Sequence, residues 1–174
     1  MEEFVPFDAS KHLNEFRQMN IETTTWHFEQ LRENYEVDAE SIMGQTAQEY
    51  VDDHLDDLKR LRPPEGIIYM LLVEGDVAGM GAVVKLRDEV GEIRRMWNRP
   101  KYRGRGYGRQ MLNRLFEAGG EFGFSKIMLS TPRFAHAAQH IYRSAGFQER
   151  EEYPETEIPL DFRSYWIYME KNAN

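Results

Sequence analysis

Six consecutive residues, Arg103-Gly104-Arg105-Gly106-Tyr107-Gly108, combine two things that an anion can use: cationic side chains and backbone that it can approach closely. The residues before them pattern as a strand. Those after them pattern as a helix, with Met111, Leu112, Leu115 and Phe116 on one face. A helix N-terminus carries N–H groups without intrahelical partners and the positive end of the helix dipole. A strand, a glycine-rich loop and a helix in that order therefore predict a phosphate or pyrophosphate site. Spacing excludes two common versions of it. A triphosphate loop needs a Gly-Lys pair, and the chain has none. A dinucleotide loop needs Gly-x-Gly-x-x-Gly and an acidic residue about 20 positions on, and here the third glycine is misplaced and that region holds Ser125 and Lys126.

Charge is concentrated at the same place. The formal net charge is −8, yet residues 94–114 contain eight Lys and Arg and no Asp or Glu. A cationic stripe on an acidic protein points to one bound anion. It argues against a nucleic-acid partner, because the rest of the surface would repel a long polyanion. An RNA-binding Arg-Gly tract would need several such units in a disordered segment, and this one is short and flanked by ordered elements.

Arg103-x-x-Gly106-x-Gly108 resembles the pyrophosphate loop of the GNAT superfamily, the acyl-coenzyme A-dependent N-acyltransferases. The stretch from Glu92 to Gly108 is similar to that family's fourth strand and following loop. Ala138-x-x-x-Tyr142-x-x-x-Gly146-Phe147 resembles its later helix and the strand that helix leads into. Order, spacing and strand–helix–strand context carry the resemblance together.

The resemblance implies transfer of an acetyl group from acetyl-CoA to a primary amine of a small molecule or peptide, by direct attack in a ternary complex. The absence of cysteine agrees with a route that has no thiol-bound acyl-enzyme. It further implies that the pyrophosphate lies on Arg103, Gly104, Arg105, Gly106, Tyr107 and Gly108, with Arg109 within reach. Met96 would offer its backbone N–H to the thioester oxygen, and Trp97, Asn98 and Ala138 would line the pantetheine arm. Glu92 matches the position of a catalytic glutamate, acting as base directly or through water. Tyr142 matches a general acid for the departing thiolate. Two departures stand out. Ala135 occupies a position where the family often has Asn, which loses a contact to the cofactor arm or passes it to His136. Trp97-Asn98 replaces a common Tyr-Val. A non-catalytic CoA-binding or sensor domain of the same fold is the alternative.

The acceptor is less legible. Acidic residues crowd 49–57 and 149–161, which suggests a cationic amine. His136 and His140 stand one helical turn apart, but no third ligand lies nearby in sequence, and no metal is expected. The resemblance leaves a homodimer open.

The elements that must position these residues follow from periodicity. A short strand at 3–8, helices at 10–20, 23–35 and 46–61, a hairpin at 67–86 and a strand at 92–98 come first. After the loop come a helix stopping at Gly119-Gly120, a strand at 126–131, a helix at 135–145 and strands at 147–153 and 165–170. Thr46 and Glu49 match a capping box. The expected fold is one α/β (α+β) domain over 1–174, with N-terminal elements in 1–64 bordering the acceptor and a sheet core in 65–174. That core is a mixed, mostly antiparallel sheet of six to seven strands, with a splayed parallel pair implied at the cofactor site. The 41% hydrophobic and 30% charged residues fit a soluble globular chain. The longest uncharged apolar run, Gly66 to Val73, is far below the ~20 residues of a membrane span. The acidic start, Met1-Glu2-Glu3, is unlike a secretory signal, so no membrane partner and a cytoplasmic location are expected.

Overall fold

The computed structural model describes residues 1–173. Its strands are β1 (Glu2–Pro6), β2 (Gly66–Val73), β3 (Asp76–Arg87), β4 (Val90–Asn98), β5 (Lys126–Pro132), β6 (Gln148–Arg150) and β7 (Trp166–Asn172). They form one sheet in the order β1-β2-β3-β4-β5-β7-β6. Every neighbouring pair is antiparallel except β4 and β5, which run parallel. The β2–β3 hairpin is closed by Glu74 and Gly75, both at positive φ (50° and 86°), the backbone that matches the twist of a two-residue hairpin.

The helices are α1 (Ala9–Tyr35), α2 (Ala39–Met43), α3 (Ala47–Lys59), α4 (Tyr107–Glu121) and α5 (His136–Ser144). They cover the two faces of the sheet. Met111, Leu112 and Leu115 of α4 and Tyr142 of α5 pack with Val83, Ile93, Ile127 and Leu129. On the other face Phe16 and Met19 of α1 and Leu55 and Leu58 of α3 pack on Met70, Met80 and Ala82. The far end of α1 adds Leu31 to Met128, Tyr153, Phe162, Trp166 and Tyr168. Each such side chain, fully buried, contributes roughly 1.5–3 kcal/mol of transfer free energy.

Three elements differ from the sequence reading. Residues 9–35 are one helix and not two. Thr23-Thr24-Thr25 is a poor helical stretch, but burial of Met19, Asn20 and Thr24 carries the helix through it, and Thr23 donates its hydroxyl to the Met19 carbonyl at 2.8 Å. The Gly119-Gly120 pair does not stop α4. Gly119 is there for contact, since a Cβ would lie 2.7 Å from Ile127 Cδ1, and the turn comes at Gly123 (φ 86°). The strand expected at 147–153 pairs only over Gln148–Arg150.

The seam between β4 and β5 positions the site. Their pairing runs from Val90↔Lys126 to Ile93↔Leu129 and ends there. Beyond it, β4 continues to Asn98 paired with β3 alone, and β5 continues to Pro132 paired with β7. On its β3 side β4 carries a bulge. Met80 faces Trp97 and Ala82 faces Arg94, so Gly81 lies opposite both Arg95 and Met96. Arg95 sits at φ 59°, left-handed backbone that a residue with a Cβ seldom adopts.

Candidate active site

A cavity of about 980 Å³ passes through this split. Its walls include the loop at Tyr102–Gly104 and Gly106–Arg109 and the α5 residues His136, Ala138 and Tyr142. They also include Met96, Trp97 and Asn98 of β4 and, on the opposite face, Thr24, Trp26, His27 and Leu31 of α1. One space thus joins the two faces of the sheet.

On the α4 side most first-turn backbone donors lack an intrahelical partner. The first helical bond runs from Gln110 N–H to the Gly106 carbonyl at 3.1 Å. Gly104 and Gly106 have positive φ (75° and 82°), and Gly106, the N-cap of α4, makes no side-chain cap. With its amide oriented to satisfy both ends, Asn98 accepts from Gly108 N–H at 3.1 Å and donates to the Trp97 carbonyl at 3.1 Å. Helix α5 also starts without a side-chain cap, at Ala135. Two helix N-termini with open N–H groups therefore face one cavity, an arrangement suited to a polyanion. Arg103 packs its guanidinium 4.6 Å from the Trp97 ring centroid and donates Nε–H to the Asn98 carbonyl at 2.9 Å. Arg105 and Arg109 are exposed, Arg105 lying 5.9 Å over the Tyr102 ring.

At the crossing point, Tyr142 is 6% exposed, and its hydroxyl points at Met96 Sδ, 3.8 Å away. Burial pushes the phenol up to about 12, so it keeps its proton at any physiological pH.

On the α1 side the bulge brings consecutive arginines to one carboxylate. Glu157 lies 3.1 Å from Arg95 and 3.8 Å from Arg94. Burial pushes the Glu157 carboxyl up, but Arg95 and Arg94 outweigh it and hold the group below the ordinary glutamate range. His27 sits among Trp26, Phe134 and Trp166, with ring centroids 5.4–6.1 Å apart. Burial, helped by Arg95, lowers it to about 4, so the ring is neutral near pH 7. Tyr50 of α3 completes this wall.

A family model for the acetyltransferase (GNAT) family matches residues 22–147. The chain belongs to the GNAT acetyltransferase family. It is 31% identical over 99 residues to an IAA acetyltransferase of Azospirillum brasilense, an alignment covering 56% of this chain and 65% of that protein. The chain thus spans somewhat under two thirds of that curated relative. The fold is shared with a GNAT-family acetyltransferase from Staphylococcus aureus (TM-score 0.70, 15% identity, all of both chains). It is shared also with the PaiA N-acetyltransferase of Thermoplasma acidophilum, solved in complex with coenzyme A (TM-score 0.69, 12% identity, 99% of both chains).

Against this GNAT frame, the expected residues separate into two groups. Met96, Trp97, Asn98, Arg103, Gly104, Gly106, Tyr107, Gly108, Arg109, Ala138 and Tyr142 all line the cavity. Arg105 is adjacent but off its wall, and so is Glu92. Glu92 is 1% exposed, paired with Arg94 and accepting from the Tyr153 hydroxyl. Burial raises its carboxyl above the usual range, with Arg94 and Tyr153 opposing. A base must reach the proton it takes, and Arg94 and Tyr153 hold both oxygens of this one. Many of the acidic residues that suggested a cationic acceptor are also engaged elsewhere. Glu149 pairs with Arg143, Glu152 with Arg163, Glu155 with Arg87, Asp52 with Arg17 and Asp56 with Lys59. Of the two acidic runs, Glu157 alone lines the cavity among the described residues. His27 and Arg95 were missed as site residues by sequence reasoning, and Glu157 was read only as one of an acidic run bordering the acceptor. The strand bulge that brings them together leaves no local sequence signal beyond the Arg94-Arg95 pair.

No group of three or more His, Cys, Asp or Glu among the described residues is arranged to hold a metal ion. None of the described helices is long and apolar enough to cross a membrane.

Proposed function

We propose that this GNAT protein transfers an acetyl group from acetyl-CoA to a primary amine of a small molecule or a peptide, by direct attack while both are bound. The observation that carries the reading is the continuous cavity through the β4–β5 split, with Tyr142 at its crossing. A thioester brought in from the α4 side and an amine from the α1 side would meet there without a covalent relay.

The loop fits a pyrophosphate: the open N–H groups of α4 and α5 bind through main chain, and Arg103, Arg105 and Arg109 add charge. The arm follows β4 past Asn98 and Trp97 to Ala138. Met96 N–H stabilises the developing charge on the thioester oxygen, and Tyr142, protonated and close to Met96, protonates the departing sulfur. His27 and Glu157, both unprotonated near pH 7, accept hydrogen bonds from the attacking amine, which enters as the free base; the proton its nitrogen loses on acylation leaves through them to solvent, and solvent returns one to Tyr142. Glu92 is a positioning residue in this scheme: it fixes Arg94 and so the Glu157 carboxylate.

The test is an acceptor screen read as free thiol released, followed by pH profiles of kcat/KM. The expected limb tracks the acceptor's own pKa when amines of different basicity are compared, in wild type and in Glu92→Gln alike. A limb that stays fixed across amines and disappears in Glu92→Gln would make Glu92 the base. Acetyl-CoA binding without thiol release for any amine would favour a CoA sensor.

A further inference from the structure

The acceptor half of the cavity has a chemical character that the family assignment does not supply. The bulge at Arg95 turns two successive β4 side chains toward one carboxylate, where an unbroken strand would send them to opposite faces. Arg94 is satisfied by the buried Glu92. Arg95 is not: it shares Glu157, and its Nε is buried with no hydrogen-bond partner among the described residues. A buried donor without an acceptor is uncommon and costly. This one belongs to a side chain that lines the cavity and sits on strained backbone. Around it the walls are aromatic. Trp26 meets Phe134 edge-on at 5.3 Å, Phe134 meets Trp166 at 5.9 Å, and Phe162 closes the same wall. His27 adds no charge there, since it is neutral near pH 7.

We infer that the acceptor is a small aromatic amine bearing a carboxylate, an aromatic α-amino acid being the simplest example. Its carboxylate accepts from Arg95, and its ring packs on Trp26, Phe134 and Trp166. This inference rests on the acetyl-transfer reading above. It also fits the charge state of the reacting species, because an amino acid with a free-base amine is a monoanion. A polyamine, by contrast, has no carboxylate to offer the unpartnered Arg95 Nε.

The experiment compares tryptophan, phenylalanine and tyrosine with tryptamine, phenethylamine and tyramine, and with spermidine. Acetyl-CoA is the donor, and each rate is corrected for its free-amine fraction. A charge-assisted hydrogen bond is expected to favour each amino acid over its decarboxylated partner by roughly 10–100-fold in kcat/KM. Arg95→Gln should bring that ratio to within about threefold, and Arg95→Lys should restore part of it. Tryptamine at or above tryptophan, or spermidine as the best acceptor, would overturn the inference. If Arg95→Gln does not fold, the wild-type ratios decide alone. If no amine releases thiol, the transfer reading fails separately. Calorimetry of tryptophan against the CoA-loaded protein then decides the ligand class: binding weakened by Arg95→Lys supports it, and no binding sinks it.

Discussion

The helices of the first sixty residues and those of the second half begin in opposite ways. Asp8, Asp38 and Thr46 each turn a side chain onto the first turn of the helix that follows, and Thr46 with Glu49 forms a reciprocal capping box. Gly106 and Ala135 do nothing of the kind. An alanine in that place, as at Ala135, costs about 1 kcal/mol and a glycine, as at Gly106, only a few tenths, and both ends open into the cavity. The N-terminal helices spend their first-turn donors on stability. In the other two, apart from Gly108 N–H bonded to Asn98 and His136 N–H bonded to the Phe134 carbonyl, the first-turn donors stay open toward the cavity.

This contrast predicts that substitutions around α4 and α5 change activity with little effect on folding, and that caps in the N-terminal part do the reverse. The largest effect is expected at Tyr142. Tyr142→Phe keeps the ring and removes the hydroxyl near Met96. Turnover should fall by roughly 10²–10⁴-fold in kcat, with thermal unfolding and cofactor affinity almost unchanged. Full activity in a folded variant would return Tyr142 to the core. Next is the loop. Reversing Arg103 and Arg105 to Glu should weaken coenzyme A binding by at least about 10-fold through lost charge-assisted bonds, measured by calorimetry at fixed salt. Unchanged affinity would remove the loop from the site.

The opposite arm of the comparison is Thr46→Ala, which should destabilise the protein by about 1 kcal/mol in denaturant unfolding and leave coenzyme A affinity alone. A loss of affinity there would mean that the two regions are coupled. The smallest effect is a slope of stability against pH. His27 is lowered to about 4 from 6.5, so the unfolded chain binds its proton first as pH falls. Its contribution to stability is present above about 6.5 and is lost toward 4. His27→Gln should flatten that part of the profile, and an unchanged slope would assign it to other groups.

How much of this was legible beforehand depends on range. The strand–loop–helix at 92–118 and the capping box at Thr46 are local patterns, and both stand in the structure. The glycines of the loop were readable because conformational freedom and close approach leave few alternatives. The long α1 was misread as two helices because a threonine run weakens local propensity, while the packing that overrides it comes from strands far along the chain. The ties on Glu92 depend on Arg94, two residues away on the same face of the strand, and on Tyr153, sixty-one positions later. The second tie is invisible to any local pattern. The same is true of Glu155, whose partner Arg87 stands 68 positions earlier.

The seam between β4 and β5 has a dynamic consequence. Four residue pairs, Val90 to Ile93 with Lys126 to Leu129, connect strands β1–β4 to strands β5–β7. Backbone pairing between the two sets of strands therefore stops at Ile93 and Leu129, while α4 and α5 pack across the line on Val83, Ile93, Ile127 and Leu129. On the reading proposed above, a cofactor arm lying along residues 94–98 would hydrogen-bond to that open edge of β4. Amide protons on that edge of β4 should then exchange quickly in the empty protein and slowly in the filled one, while those of the β2–β3 hairpin exchange alike in both.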